Sequence, residues 1–230
     1  MTRFAEPEVI ACPHCAARYL RVVLLSFNTM MQKTFSDGGS VNGLQDTLCN
    51  VARCPNCEAV IKDILSLDLV EQPLKRRFWE KLVGKEPEYS YLPKPSFDVY
   101  LELFENDTQS DLRFNWALKA LQVFNQTYRM YGNEQEADAA LKQQYHRVCQ
   151  FILHRYTDYS SDEMTLLCAD IYRQVGDFQS SLHLYNKVDD RNLSHIVEPA
   201  KRWCEQGITS LMEIGGRSGQ KQSRIQKRRL

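Results

Sequence analysis

Cys12-Pro13-His14-Cys15 and Cys54-Pro55-Asn56-Cys57 are two Cys-Pro-x-Cys knuckles that set four thiols in two close pairs. A single tetrahedral zinc ion needs this set of donors, because each pair reaches the metal through a tight backbone loop. The 38 residues between Cys15 and Cys54 suffice for a hairpin and return strands that bring the pairs together. The reading is one structural Zn2+ held by Cys12, Cys15, Cys54 and Cys57, in a zinc ribbon spanning residues 1–70. A four-thiolate shell is closed and leaves no place for a reacting water, which argues against hydrolytic chemistry. A rubredoxin-like iron centre uses similar knuckles and stays open as the alternative metal.

Outward from the knuckles, Tyr19-Leu20-Arg21-Val22-Val23-Leu24-Leu25-Ser26-Phe27 is rich in β-branched and aromatic residues and reads as a strand. Ser36-Asp37-Gly38-Gly39 supplies turn chemistry, and residues Ala59 to Leu67 offer a closing strand. So small an antiparallel sheet buries little apolar surface, so the metal should supply much of its stability. His14 reads as a spacer beside four cysteines, while Cys49 is the one further ligand candidate by position. Cys149, Cys168 and Cys204 sit in apolar helical surroundings and read as small buried hydrophobes.

Residues 71–96 read as a short connecting helix, with Leu74, Phe78, Trp79 and Leu82, followed by a linker with Pro87, Pro93 and Pro95. From Phe97 the apolar period becomes about 3.6. Phe114, Ala117, Leu118, Leu121, Phe124 and Tyr128 mark one helix, ended by Gly132, and Leu141, Tyr145, Val148 and Ile152 mark the next. Ser160 with Glu163 forms a capping box for a third helix reaching Val175. Gly176-Asp177 breaks it before Phe178 to Val188, and a last helical region runs from Asn192 or Ser194 to Glu213, with Gly207 as an interruption. Residues 97–214 therefore form an all-α domain of antiparallel helical hairpins, and the fold class is α+β. Tyr100 to Glu105 reads as a helix with a core-facing apolar side, a partner-binding helix being the other reading.

Leu167, Ala169, Tyr172, Gly176, Phe178, Ser181 and Tyr185 match one tetratricopeptide-type (TPR-like) hairpin, in which a glycine permits close helix approach at the turn. Together with the two knuckles and Phe35-Ser36-Asp37-Gly38, these residues resemble a group of uncharacterised bacterial proteins with an N-terminal zinc ribbon and tetratricopeptide-like C-terminal helices. The resemblance implies the architecture and carries no activity with it. Such ribbons commonly place glycine after the second cysteine of each knuckle, where this chain has Ala16 and Glu58.

Lysine plus arginine and aspartate plus glutamate both total 29, and 43% of residues are hydrophobic, as in an ordinary globular protein. No acidic residue follows Glu213, so residues 215–230, with Arg217, Lys221, Arg224, Lys227, Arg228 and Arg229, form a basic flexible tail. The N-terminus lacks an apolar signal region and no stretch approaches the ~20 apolar residues of a membrane span, so a cytoplasmic location without membrane attachment is expected. His146, His154, His183 and His195 form no metal-spaced pair, and no GxxxxGK[ST], GxGxxG or GxSxG run occurs. The expectation is a non-enzymatic adaptor that meets protein partners through its helices. The alternatives are a nucleic-acid-binding protein using the ribbon, Arg53, Lys62 and the basic tail, and a rubredoxin-like electron-transfer protein.

Overall fold

The structure, a computed structural model, describes residues 3–26, 33–41, 50–71, 89–130, 136–155 and 161–215. It divides into two compact units, residues 1–31 with 41–95 and residues 32–40 with 96–230. The expected continuous ribbon over residues 1–70 is thus interrupted, since residues 32–40 fall with the helices. The cause is polar: Ser36 and Asp37 find hydrogen-bond partners on buried helical side chains.

In the first unit, β1 (Arg3–Phe4) pairs antiparallel with β4 (Leu24–Ser26), and β2 (Glu8–Ala11) lies between β3 (Arg18–Arg21) and β9 (Leu69–Glu71). A separate hairpin joins β7 (Val51–Arg53) to β8 (Val60–Lys62), with Val51 opposite Lys62 and Arg53 opposite Val60. The core is Ile10, Tyr19, Ala52, Ile61 and Ile64, together with the two buried cysteines Cys12 and Cys54. The single strand expected from Tyr19 to Phe27 is split after Arg21, because its halves pair with different partners. The strand expected from Ala59 to Leu67 stops at Lys62, where Asp63 takes φ 52° and starts a 3-10 turn at Ile64–Ser66. Arg21 fixes that turn. Its guanidinium donates to the carbonyls of Ile64, Leu65 and Leu67 at 2.7, 3.0 and 3.2 Å and is held by Glu8 at 2.6 Å. Residues 89–95 are part of this unit rather than a bare linker: Leu20 N–H donates to the Ser90 carbonyl at 2.9 Å. The connecting helix expected before them lies outside the described residues apart from Glu71, which closes β9.

Among its described residues the second unit has six α-helices: α1 (Phe97–Asn106), α2 (Ser110–Phe124), α3 (Ala139–Arg155), α4 (Asp162–Gln174), α5 (Phe178–Tyr185) and α6 (Ser194–Glu205). Consecutive helices pack on one another, α1 on α2, α2 on α3, α4 on α5 and α5 on α6. Phe97, Phe104, Leu121, Phe124, Tyr145 and Ile152 are buried within the first three helices. Cys168, Ala169, Leu184, Tyr185, Val197 and Ala200 are clustered in the last three. The segment Tyr100 to Glu105 belongs to this interior, with Tyr100, Leu101, Leu103 and Phe104 buried and Phe104 edge-on to Phe151 at 4.9 Å.

Several helix ends differ from their sequence reading. The helix expected to continue through Tyr128 leaves α geometry at Phe124 and makes a π turn over Asn125–Arg129, which turns Asn125 and Arg129 into the interior. Gly132 and Ser160 lie outside the described residues; the cap of α4 is Ser161, whose hydroxyl accepts the Met164 N–H at 3.3 Å. Gly176 has φ +87°, and a Cβ there would meet nothing within 4 Å, so this glycine serves the turn and not a close helix approach. It closes α4 as a Schellman motif, with N–H groups of Gly176 and Asp177 donating to the carbonyls of Arg173 and Tyr172. Gly207, at φ +68°, closes α6 in the same way, so the helical region expected to reach Glu213 stops at Glu205. Glu213–Gly215 is instead a strand, β10, paired antiparallel with β5 (Lys33–Phe35), which also neighbours β6 (Ser40–Val41). Among the described residues no helix is long and apolar enough to cross a membrane. The tail from residue 216 is outside them.

Candidate metal centre

Each knuckle is a tight loop bonded to itself in the same way as the other. The Ala16 N–H donates to the Cys12 carbonyl at 2.9 Å and the Cys12 N–H to the Ala17 carbonyl at 2.8 Å. Glu58, Cys54 and Ala59 repeat this pattern at 2.9 and 2.9 Å. Ala16 and Glu58 have φ 59° and 60°, the left-handed conformation that glycine would supply without strain. Both knuckles therefore hold their geometry despite carrying side chains at those positions.

The loops converge on one point. Sγ of Cys12 lies 3.8 Å from Sγ of Cys57, Sγ of Cys15 lies 3.7 Å from Sγ of Cys54, and all four sulfurs lie within 4.8 Å of one another. Metal–sulfur bonds of about 2.3 Å in a tetrahedron put the sulfurs roughly 3.8 Å apart, so this donor set fits one four-coordinate ion. Cys12 and Cys54 are buried, Cys15 is half-buried and Cys57 is exposed.

The surroundings favour the charged form at Cys54 and Cys15 and oppose it at Cys12, which burial raises, and at Cys57, where the Ala59 N–H is outweighed by burial and the three neighbouring cysteines. Backbone N–H groups of His14 and Cys15 point at Cys12, and those of Asn56 and Cys57 point at Cys54. Burial opposes ionisation of Cys54, yet hydrogen bonds from the Tyr19 hydroxyl, at 3.2 Å, and those two N–H groups bring its thiol down to about 6. The Asn56 side chain and the Ala17 N–H lower Cys15. Burial pushes Tyr19 up to about 12, so it stays a donor. A cation among the sulfurs would draw off the remaining thiol protons.

Set against family models, curated proteins and solved structures, the chain matches none. The chemistry of the centre rests on its own geometry. All four cysteines read from the sequence are brought together, and among the described residues they are the one group of three or more such side chains that could hold a metal. His14 and the other four histidines are exposed and take no part, and Cys149, Cys168 and Cys204 are buried as expected. Cys49 lies outside the described residues. Sequence reasoning did not find Tyr19 or Asn56. Asn56 sits inside a knuckle, where an amide side chain is a natural donor to sulfur, but Tyr19 reads simply as a strand aromatic.

Proposed function

We propose that the chain is a non-enzymatic adaptor of the zinc-ribbon and tetratricopeptide-like type. One structural zinc ion closes its ribbon, and its helical hairpins bind a protein partner. The observation that carries this reading is the closed set of four sulfurs, at separations of 3.7 and 3.8 Å across the knuckles, which leaves a bound ion no open position for substrate. The α4–α5 hairpin supports the helical part of it. Small residues meet there, with the Ser181 hydroxyl donating to the Ala169 carbonyl at 2.7 Å, as a close crossing of repeat-type helices requires. A reducing, cytoplasmic setting accords with cysteines that are all free among the described residues.

Elemental analysis with a visible spectrum tests the metal, and affinity capture with the full chain as bait tests the adaptor role. One zinc per chain, no colour and a reproducible protein partner are expected. Iron with visible absorption would replace the reading with electron transfer. Capture that returns nucleic acid, salt-sensitive and abolished by truncation after Gly216, would replace it with nucleic-acid binding.

A further inference from the structure

Residues 33–40 relate to the helical unit as a ligand relates to a receptor. In sequence, 56 residues separate Ser40 from Phe97, the start of α1, yet the segment is packed with the helices. Aspartate in a glycine turn ordinarily faces water. Here Asp37 is 1% exposed and Phe35 is 4% exposed. One carboxylate oxygen of Asp37 accepts the Gly39 N–H of its own turn at 2.8 Å, and the other accepts Nδ2 of Asn125, also at 2.8 Å. The Ser36 hydroxyl donates to Oδ2 of Asp170 at 2.8 Å. Main-chain pairing completes the contact: β5 lies against β10, and the Ser36 N–H donates to the Met212 carbonyl at 2.9 Å.

The groups that receive the turn are themselves held in place. Tyr145 donates to Oδ1 of Asn125 at 3.3 Å and to Oε1 of Gln174 at 2.8 Å, which aims the Asn125 amide hydrogens at the turn. Arg173 occupies Oδ1 of Asp170 at 2.6 Å, and Oδ2 accepts both Nε2 of Gln174 at 2.5 Å and the Ser36 hydroxyl. Strand addition for affinity combined with fixed polar groups for specificity is how folded domains read short peptides.

We propose that the helical unit carries a binding site for a Ser-Asp-Gly-Gly turn peptide, filled in cis by residues 33–40 and able to take the same segment in trans, as from a second copy of this chain. The inference is independent of which metal or partner the chain binds. A tether gives the cis segment an effective concentration in the millimolar range, so an added peptide meets an occupied site in the native chain.

The test is the full-length variant Asp37→Ala with Gly39→Val, in which the carboxylate is gone and the added side chain is crowded by Gln122, whose Cγ lies 3.4 Å from a Cβ at position 39. A fluorescent peptide of residues 33–41 is titrated into it. Saturable binding is expected, at least tenfold tighter than to the native chain and tenfold tighter than that of the Asp37→Asn peptide. Should the variant lose its helical circular dichroism, the native peptide restores it and the Asp37→Asn peptide does not. Equal affinity for native and Asp37→Asn peptides, equal binding to native and variant chains, or an unfolded variant that the peptide leaves unfolded would each overturn the proposal.

Discussion

The ribbon and the helical unit both bring polar groups together from distant parts of the chain, and they differ in how many kinds of group they use. The ribbon converges four side chains of one type, and a single cation can neutralise them together. The helical unit balances unlike groups pairwise: Asp170 against Arg173, Asp37 against Asn125, Gln174 against Tyr145 and Arg129. A site of the first kind is lost all at once when its ion leaves. A site of the second kind should fail one member at a time, each with its own penalty.

The largest expected effect breaks the first site and leaves the second. Cys54→Ser with Cys57→Ser removes two of the four proposed ligands, and structural zinc sites of this kind hold about 10–16 kcal/mol of apparent binding free energy. Metal content should fall to zero and the ribbon unfold, while the helical circular dichroism persists, because α1 to α6 and β5 form their own compact unit. Loss of the helical signal along with the metal would show instead that the two regions stand or fall as one.

Next in size is Asp170→Ala. Asp170 and Arg173 are 1% and 0% exposed and lie 2.6 Å apart, so removing the carboxylate strands a guanidinium in the interior. Breaking one side of a buried pair costs about 3–5 kcal/mol. Chemical denaturation followed at the helices should show that loss with metal content unchanged. A loss below about 1 kcal/mol would mean that water reaches Arg173 and that the network is not sealed.

The two regions were unequally legible in the sequence for a physical reason. Metal ligands on a tight loop must lie close in the chain, so each cysteine pair is written as a motif. The ribbon's second layer is not, since Tyr19 reaches Cys54 across 35 positions. In the helical unit the side-chain hydrogen bonds that join residues 33–40 to the helices span 85 or more positions. Ser36-Asp37-Gly38-Gly39 was readable as a turn but not as a buried one. The available signal lay in α4, where Asp170, Arg173 and Gln174 follow one another at i, i+3 and i+4 among apolar residues. Three polar groups on one helical stripe that should be core point to a partner outside the helix. The helix ends depart from the apolar pattern where caps decide them, at Ser161 and at Gly207, the latter readable in sequence as an interruption, and where the π turn at Asn125 interrupts a periodicity that the apolar pattern carries through to Tyr128.

Acid should separate the two regions by sign. Protons compete with metal for thiolates, so an ion held by the four cysteines should be lost as pH falls. Asp37 behaves oppositely: burial, and secondarily the nearby Asp170, raise its carboxyl to about 6 against 3.8 in the open chain. The folded state then binds the proton more tightly than the unfolded state does. The stability this contributes is complete below about 3.8 and is lost as pH rises through about 6, a span worth roughly 3 kcal/mol at most. The difference in unfolding free energy between the native chain and Asp37→Asn should therefore grow in favour of the native chain as pH is lowered from 7 to 5. A difference that stays flat over that interval would show that Asp37 ionises in the fold as freely as in solvent.

The smallest expected change strengthens the ribbon. Ala16 and Glu58 stand at φ 59° and 60°, where a Cβ crowds the following carbonyl at a cost of about 1–2 kcal/mol. Glycine relieves that strain but adds freedom to the unfolded chain, which leaves a net gain of about 0.5–1 kcal/mol at each position. The two sites are not equivalent in what else they do. At Glu58 the carbonyl accepts Arg53 at 2.9 Å, a main-chain contact that glycine preserves, and the side chain is exposed. Ala16 is exposed too, with only a methyl group to lose. Both Ala16→Gly and Glu58→Gly should then slow metal loss to a chelator by a similar, severalfold factor. If Glu58→Gly alone speeds it, the acidic side chain is itself contributing to the second knuckle; if both speed it, the knuckles draw more rigidity from their Cβ atoms than they surrender in strain.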